Sequence, residues 1–122
     1  MILLPSAVRI FLCTRPTDMR QSFDGLTGLV QGCFDQDPLT GHLFLFINRR
    51  RDRIKILYFD RDGLAIWYKR LEAGSFQLPQ ASQADGVELQ PAQLAMLLSG
   101  IDLHSARQRK RFQLPSRVPA GV

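Results

Sequence analysis

The segment "NRRRDRIKILYFDRDG", residues 48–63, concentrates side chains that can bind phosphate. Five basic residues fall within seven positions, namely Arg49, Arg50, Arg51, Arg53 and Lys55. A planar guanidinium group suits bidentate contact with phosphate or carboxylate. The segment is therefore a candidate polyanion-binding surface, and the alternative is a hairpin whose turn is simply charged and solvated.

Metal-dependent catalysis would have to use the two acids that end this segment. Asp60 and Asp62 could hold a divalent cation, but a metal nuclease needs a further carboxylate or His placed with them. Aspartate also belongs in turns for local reasons. Neither His42 nor His104 has metal-ligand spacing, and the glycine-rich phosphate loops GxxxxGK[ST] and GxGxxG are absent. We predict no catalytic residue, no metal and no cofactor, with a nuclease built on the two acids as the least favoured alternative.

The charge of the chain is unevenly distributed. The formal net charge is +5, from 16 basic and 11 acidic residues. Residues 104–122 contain five bases and no acid: Arg107, Arg109, Lys110, Arg111 and Arg117. Removing those five bases leaves 11 against 11, so residues 1–103 are formally neutral. We expect residues 104–122 to form a flexible basic tail that can contact phosphates.

Runs of apolar and β-branched residues predict strands. They cover residues 7–13, 42–48, 53–59 and 64–71, with shorter runs near 76–78 and 87–89. Short charged turns join the runs between 42 and 71, which predicts an antiparallel meander, and Asp62 and Gly63 should supply the positive φ of its last turn. Arg53 and Lys55 should project together from the face opposite Ile54 and Ile56.

Two helices should pack on this sheet. Apolar residues recur at helical spacing from Met19 to about Phe34, after an N-cap at Thr17 or Asp18, and this helix is expected to cover the apolar face of the meander. Pro91 and a later apolar stripe predict a second, short helix that ends at Gly100; the stripe comprises Leu94, Leu97, Leu98 and Ile101.

The predicted fold is therefore α+β. It consists of a small antiparallel meander of about four to five strands covered by an N-terminal helix, followed by a short C-terminal helix and a flexible basic tail. We expect one domain over residues 1–103, with the tail over 104–122.

From the sequence we expect a cytoplasmic protein that has no membrane partner. No apolar run reaches the length of a membrane span. The N-terminal "MILLPSAVRIFLC" lacks a basic n-region and is interrupted by Pro5, so it does not fit a signal peptide. Cys13 and Cys33 form no metal or CxxC pattern, and we predict that both are reduced, buried and hydrophobic in character.

Three motifs together resemble a known family. They are "TDMRQSFDGL" (17–26), "DPLTGHLFLFINRRRDRIKILYFDRDGLAIWYKRLEAGSFQLP" (37–79) and "LAMLLSGIDL" (94–103). The family that they resemble is the small TnpB-type accessory protein, the second open reading frame, of the bacterial insertion sequence sixty-six family. The resemblance covers nearly all of residues 1–103. The family's typical polar positions match Asp18, Arg20, Lys55, Asp60, Gly63, Lys69 and Arg70.

The resemblance implies a biological process. Such a protein is encoded beside a DDE-type transposase and is needed or helpful for transposition, while the strand-cutting carboxylates belong to that transposase. The implied partners are the transposase and the companion accessory protein of the same element, and the family supplies no established catalytic activity.

Combining residues and resemblance, we predict a non-enzymatic accessory protein that binds DNA phosphates, with little sequence readout, and assists the transposase at element ends. The candidate DNA-binding residues are Arg49, Arg50, Arg51, Arg53, Lys55, Lys69, Arg70, Arg107, Arg109, Lys110 and Arg111. Trp67 and Tyr68 point to opposite faces of their strand, so one should be core while the other could stack on bases. The alternative is a protein–protein adaptor that docks the transposase without touching DNA.

Overall fold

A computed structural model describes residues 7–79 and 84–100 as a five-stranded sheet with two α-helices. The strands are β1 (Ile10–Cys13), β2 (Leu43–Ile47), β3 (Arg53–Asp60), β4 (Gly63–Arg70) and β5 (Gly86–Leu89); the helices are α1 (Phe23–Phe34) and α2 (Pro91–Ser99), with a short 3-10 helix at Pro38–Thr40. The predicted α+β class is confirmed. The tail at 104–122 lies outside the described residues, and the predicted domain boundary stays a prediction.

The strand order in the sheet is β4-β3-β2-β1-β5. The neighbours β2, β3 and β4 are antiparallel, as the predicted meander requires. However, β1 lies parallel to β2, with Phe11 opposite Phe44, and antiparallel to β5. The sheet is thus mixed and not a simple meander. The long connection through α1 returns the chain to the end of the sheet at which β1 begins, so β2 can run parallel to β1.

Both faces of the sheet are covered at its centre, where β2 is apolar at every position and all five of its residues are buried. One face packs against α2 and the segment after β4, and its core includes Ile54, Ile56, Phe76, Leu94 and Leu97. The other face packs against α1, and its core includes Phe44, Phe46, Leu57, Leu26 and Val30. The N-terminal helix, which is predicted to cover the apolar face of the meander, therefore packs on the phenylalanine face, opposite the face of Ile54 and Ile56.

The first helix begins later than predicted. Its N-cap is Ser22, and not Thr17 or Asp18, and it ends at Asp35 in the left-handed conformation. Phe23, in its first turn, is 43% exposed. The residues before it form a separate turn in which the Asp18 carboxylate accepts a hydrogen bond from the backbone N–H of Arg20 at 2.9 Å. The Asp18 carboxylate therefore binds an N–H group of this turn and not one of α1.

The second helix matches its prediction. Pro91 begins α2, Gln90 and Gln93 cap it reciprocally, and Gly100 ends it with φ 85°. Leu94 and Leu97 are buried, whereas Ile101 lies outside the described residues. Within residues 7–79 and 84–100, neither helix is long and apolar enough to cross a membrane.

Two local predictions about turns and strands are wrong. The positive φ of the β3–β4 turn falls on Arg61 (φ 55°), and not on Asp62 or Gly63. The run near 76–78 forms no strand; instead Phe76 is fully buried and its N–H donates to the carbonyl of Arg51 at 2.7 Å. This segment is therefore held by the buried side chain of Phe76 and one backbone hydrogen bond to Arg51, and not by pairing in the sheet. The short run at 87–89 is a strand, within β5.

The two cysteines lie together as free thiols between β1 and α1. Their Sγ atoms are 3.1 Å apart, and Cys13 is buried while Cys33 is partly buried. Burial, reinforced by the hydrogen bond with Cys33, raises the pKa of the Cys13 thiol to about 11. Cys13 therefore stays a protonated, apolar core residue at neutral pH.

Candidate nucleic-acid interface

The arginine-rich loop between β2 and β3 is held in shape by Asn48. The side-chain Oδ1 of Asn48 accepts hydrogen bonds from the N–H groups of Asp52 (3.1 Å) and Arg53 (3.0 Å), and its Nδ2 donates to Asp52 Oδ1 at 2.7 Å. Arg51 adopts φ 60°, and its carbonyl accepts from Phe76. The loop is therefore ordered by its own hydrogen bonds before any ligand arrives.

The arginines at the tip of this loop are exposed and available. Arg49, Arg50 and Arg51 are all exposed. Within residues 7–79 and 84–100, their guanidinium groups form no hydrogen bond or ion pair with another side chain. Charged groups without an internal partner can contact an external anion without first breaking a bond.

A second loop, residues 17–20, faces the first. The N–H of Thr17 donates to the carbonyl of Ile47 at 2.9 Å, which fixes this loop beside the end of β2. Arg20 Nη2 lies 2.7 Å from Asp18 Oδ2, with Nε on the same carboxylate. The Arg20 side chain and backbone N–H together lower the pKa of Asp18 to about 2. Asp18 is therefore anionic at neutral pH and is neutralised by Arg20.

The two loops line one open cavity of about 450 Å³, which we call the arginine groove. Its lining residues are Thr17, Asp18, Met19, Arg20, Asn48, Arg49, Arg50, Asp52 and Arg53. They include four guanidinium groups and two carboxylates, a local formal charge of +2. Arg20 pairs with Asp18, and Asp52 offsets one further charge, so the groove keeps a net positive charge to which the exposed Arg49 and Arg50 contribute.

A further cavity of about 490 Å³ adjoins the arginine groove and shares Arg53 with it. Its other lining residues are Tyr68, Arg70 and Glu72. Arg53 and Arg70 are direct cross-strand partners, and Arg70 is paired with Glu72 at 3.1 Å. The basic tract therefore continues from the loop onto β4.

The candidate residues of β4 project from opposite faces of the sheet. Lys69 pairs across the strands with Ile54, so it projects from the isoleucine face, and it borders a cavity near Leu98 and Ser99 of α2 that Arg70 also lines. Arg70 lies on the other face beside Arg53. The candidate tail residues Arg107, Arg109, Lys110 and Arg111 lie outside the described residues.

Lys55 is the main correction to the predicted surface. It projects to the same face as Arg53, as predicted, but that face is covered and Lys55 is only 8% exposed. Its Nζ donates to the carbonyls of Met19 (2.8 Å) and Gln21 (2.7 Å). Lys55 therefore anchors the turn before α1 to β3 and positions one wall of the arginine groove, and its charge is not presented to solvent.

The acids and histidine considered for metal chemistry are dispersed. Asp60 and Asp62 are exposed at the far end of the β3–β4 hairpin, and His42 Nδ1 accepts a hydrogen bond from the N–H of Arg9 at 3.0 Å. In the part of the chain that the structure describes, no three His, Cys, Asp or Glu side chains are grouped so that they could hold a metal ion.

The sequence of this chain matches a recognised family of mobile-element proteins. The family model of IS66 Orf2-like proteins matches residues 8–108, so this chain is a member of that family of transposition-associated accessory proteins. It is a family of accessory proteins and not of known enzymes.

Two similar proteins occur in Sinorhizobium fredii strain NGR234, both described as uncharacterized. The protein y4hO is 40% identical over 118 residues, which cover 95% of this chain and 99% of y4hO. The protein y4jC is 32% identical over 111 residues, which cover 91% of this chain and 93% of y4jC. No solved structure matches the chain significantly.

Proposed function

We propose that this protein is a non-enzymatic accessory factor of transposition that binds DNA phosphates through the arginine groove and assists the transposase at the ends of the element. The observation that carries the proposal is the pair Arg49 and Arg50. Both are exposed on a hydrogen-bonded loop, and both face Arg20 across an open groove.

Local arrangement supports this proposal better than overall charge. Residues 1–103 are formally neutral, so unspecific attraction by the whole domain is weak. The arginine groove instead gathers four guanidinium groups, the side chain best suited to bidentate phosphate contact. Arg51 is exposed in the same loop, and Arg70 lines the adjoining cavity, where it is paired with Glu72. Phosphate contact without base readout fits a factor that acts with a separate transposase.

The first experiment is a salt titration of duplex DNA binding, followed by fluorescence anisotropy. Each phosphate contact contributes about −0.9 to the slope of log K against log salt. The full-length variant Arg49→Gln/Arg50→Gln/Arg53→Gln should therefore reduce the slope by about 2 to 3 and weaken binding at low salt. The control is Arg9→Gln/Arg15→Gln/Arg61→Gln, which removes the same charge outside the groove and should change the slope little.

The outcomes separate the competing functions. Equal losses in the two triple variants would show that net charge, and not the groove, governs binding. If the tail variant Arg107→Gln/Arg109→Gln/Lys110→Gln/Arg111→Gln removed all binding, the groove would be demoted to a minor contact. Loss of transposase capture by the groove variant, with unchanged DNA affinity, would favour the protein–protein adaptor. Absence of binding by the unmodified protein to both duplex and single-stranded DNA at low salt would end the DNA proposal.

Removing the carboxylate of Asp18 should strengthen DNA binding. The pKa of Asp18 is about 2, so Asp18→Asn deletes a full negative charge at neutral pH and releases Arg20 for an external anion. An asparagine keeps the acceptor for the N–H of Arg20. We expect tighter binding to duplex DNA and a salt slope steeper by up to about 0.9. The matched control is Asp24→Asn, an exposed acid on α1 outside the groove, and an equal gain there would contradict the prediction.

A further inference from the structure

We infer that the part of this surface on β4 is a stacking site for an unpaired base, so that the protein prefers DNA with an unpaired strand to an intact duplex. In this arrangement one base lies on the ring of Tyr68 while neighbouring phosphates contact Arg53 and the arginine groove. The inference rests on the proposed function and adds to it the class of DNA.

Tyr68 is the aromatic residue that the fold leaves accessible on this strand. It is 48% exposed, in a strand whose neighbouring residues Leu64 and Ile66 are partly covered by α1. Trp67 faces the opposite side, where it is partly buried against the core that contains Ile56. Of the two aromatics in the sequence "WYKR", the structure therefore assigns Trp67 to packing and leaves Tyr68 for a ligand.

The ring of Tyr68 is held in place before a ligand binds. The ammonium group of Lys55 lies 4.8 Å from the ring centroid, and Arg53 Nη1 donates to the Tyr68 hydroxyl at 3.4 Å. Lys55 is itself fixed by the carbonyls of Met19 and Gln21. A ring that is already ordered loses little conformational entropy when a base stacks on it.

The phosphate-binding and stacking groups form a continuous tract. The arginine groove and the cavity at Tyr68 share Arg53, and Arg70 lies directly across the strands from it. A positively charged groove with an accessible aromatic ring is the arrangement that binds single strands without sequence preference. Bases in a duplex are stacked on one another, so an intact duplex cannot offer a base face to Tyr68.

The experiment compares three labelled 12-mers with full-length protein: oligo-dT, the corresponding fully abasic strand and a duplex. The unmodified protein should prefer oligo-dT to the abasic strand. Since one stacked base contributes a factor of about 5 to 150 in affinity, Tyr68→Leu should weaken oligo-dT binding by a factor in that range. The abasic strand should bind both proteins equally, and Tyr68→Phe should retain the affinity because it keeps the ring.

The abasic strand separates stacking from a structural role of Tyr68. If Tyr68→Leu merely disturbed the groove, oligo-dT and the abasic strand would lose affinity together, and the inference would be overturned. It would equally fall if oligo-dT binding were unchanged in Tyr68→Leu. Groove-dependent duplex binding with no effect of Tyr68 would reject the inference while leaving the proposed function intact. Binding to none of the three strands at low salt would reject both.

Discussion

Phe44→Ala should lower the free energy of unfolding by about 3 to 5 kcal/mol, the cost usual for deleting a buried phenylalanine side chain. Phe44 lies in β2, the strand flanked by β1 and β3, and is fully buried. Its ring stacks on that of Phe11 at 5.6 Å and lies 5.6 Å from that of Phe34 in α1. The truncation therefore removes contacts both within the sheet and between the sheet and the helix.

Urea unfolding followed by circular dichroism measures this loss. A small domain has a total stability of about 5 to 15 kcal/mol, so this loss is a large part of the total and the variant should unfold at a clearly lower urea concentration. Leu39→Ala is the control, because Leu39 is 57% exposed and its truncation should change stability by less than about 0.5 kcal/mol. Equal losses in the two variants would contradict the described packing of the phenylalanine face.

Lys55→Met should lower the free energy of unfolding by about 2 to 4 kcal/mol, because two carbonyls lose a charged donor and each unsatisfied acceptor is costly. Those carbonyls, of Met19 and Gln21, precede α1 and receive the ammonium group at 2.8 and 2.7 Å. Methionine keeps the length and apolar character of the side chain, so the loss reports on the ammonium group and not on a cavity.

The matched control is Lys69→Met, which removes the same charge from an exposed site on β4 and should be nearly neutral for stability. An equal loss of stability in the two variants would mean that the bonds from Lys55 to the carbonyls of Met19 and Gln21 contribute little to the fold.

Local sequence pattern predicts where the strands lie better than it predicts which residues cover their faces. The alternation around Ile54 and Ile56 correctly placed Arg53 and Lys55 on one face. It could not show that this face is covered, because the cover comes from residues 19–21, more than thirty positions earlier in the chain. The pattern therefore predicts an exposed basic residue, whereas the ammonium group of Lys55 binds two backbone carbonyls of the covering segment.

The mixed sheet was missed for a similar reason. Short turns fix the pairing of β2, β3 and β4, so their antiparallel order follows from local sequence. The pairing of β1 with β2 joins Ile10 to Leu43 across the whole helical connection. No short-range signal specifies that partner, although the fully apolar "LFLFI" of β2 is typical of a strand with two neighbours and two covered faces.

Half of the arginine groove was visible in the sequence. The cluster at Arg49–Arg51 was evident from composition, whereas the opposite wall at residues 17–20 depends on the hydrogen bond between Thr17 and Ile47. Asp18 and Arg20 stood within the family-like motif "TDMRQSFDGL", which named the positions but not their role. Pairing that motif with the arginine cluster was the signal that could have found the groove.

The burial of Lys55 has a practical consequence for following this protein in solution. The chain contains three lysines, and they mark three different environments: Lys55 in the interior, Lys69 on an exposed strand and Lys110 in the basic tail sequence. The three lysines can therefore serve as natural reporters when the protein is treated with an amine-labelling reagent and analysed by mass spectrometry. Labelling of Lys55 would signal opening of the fold, while protection of Lys69 or Lys110 by DNA would map the footprint without any engineered probe.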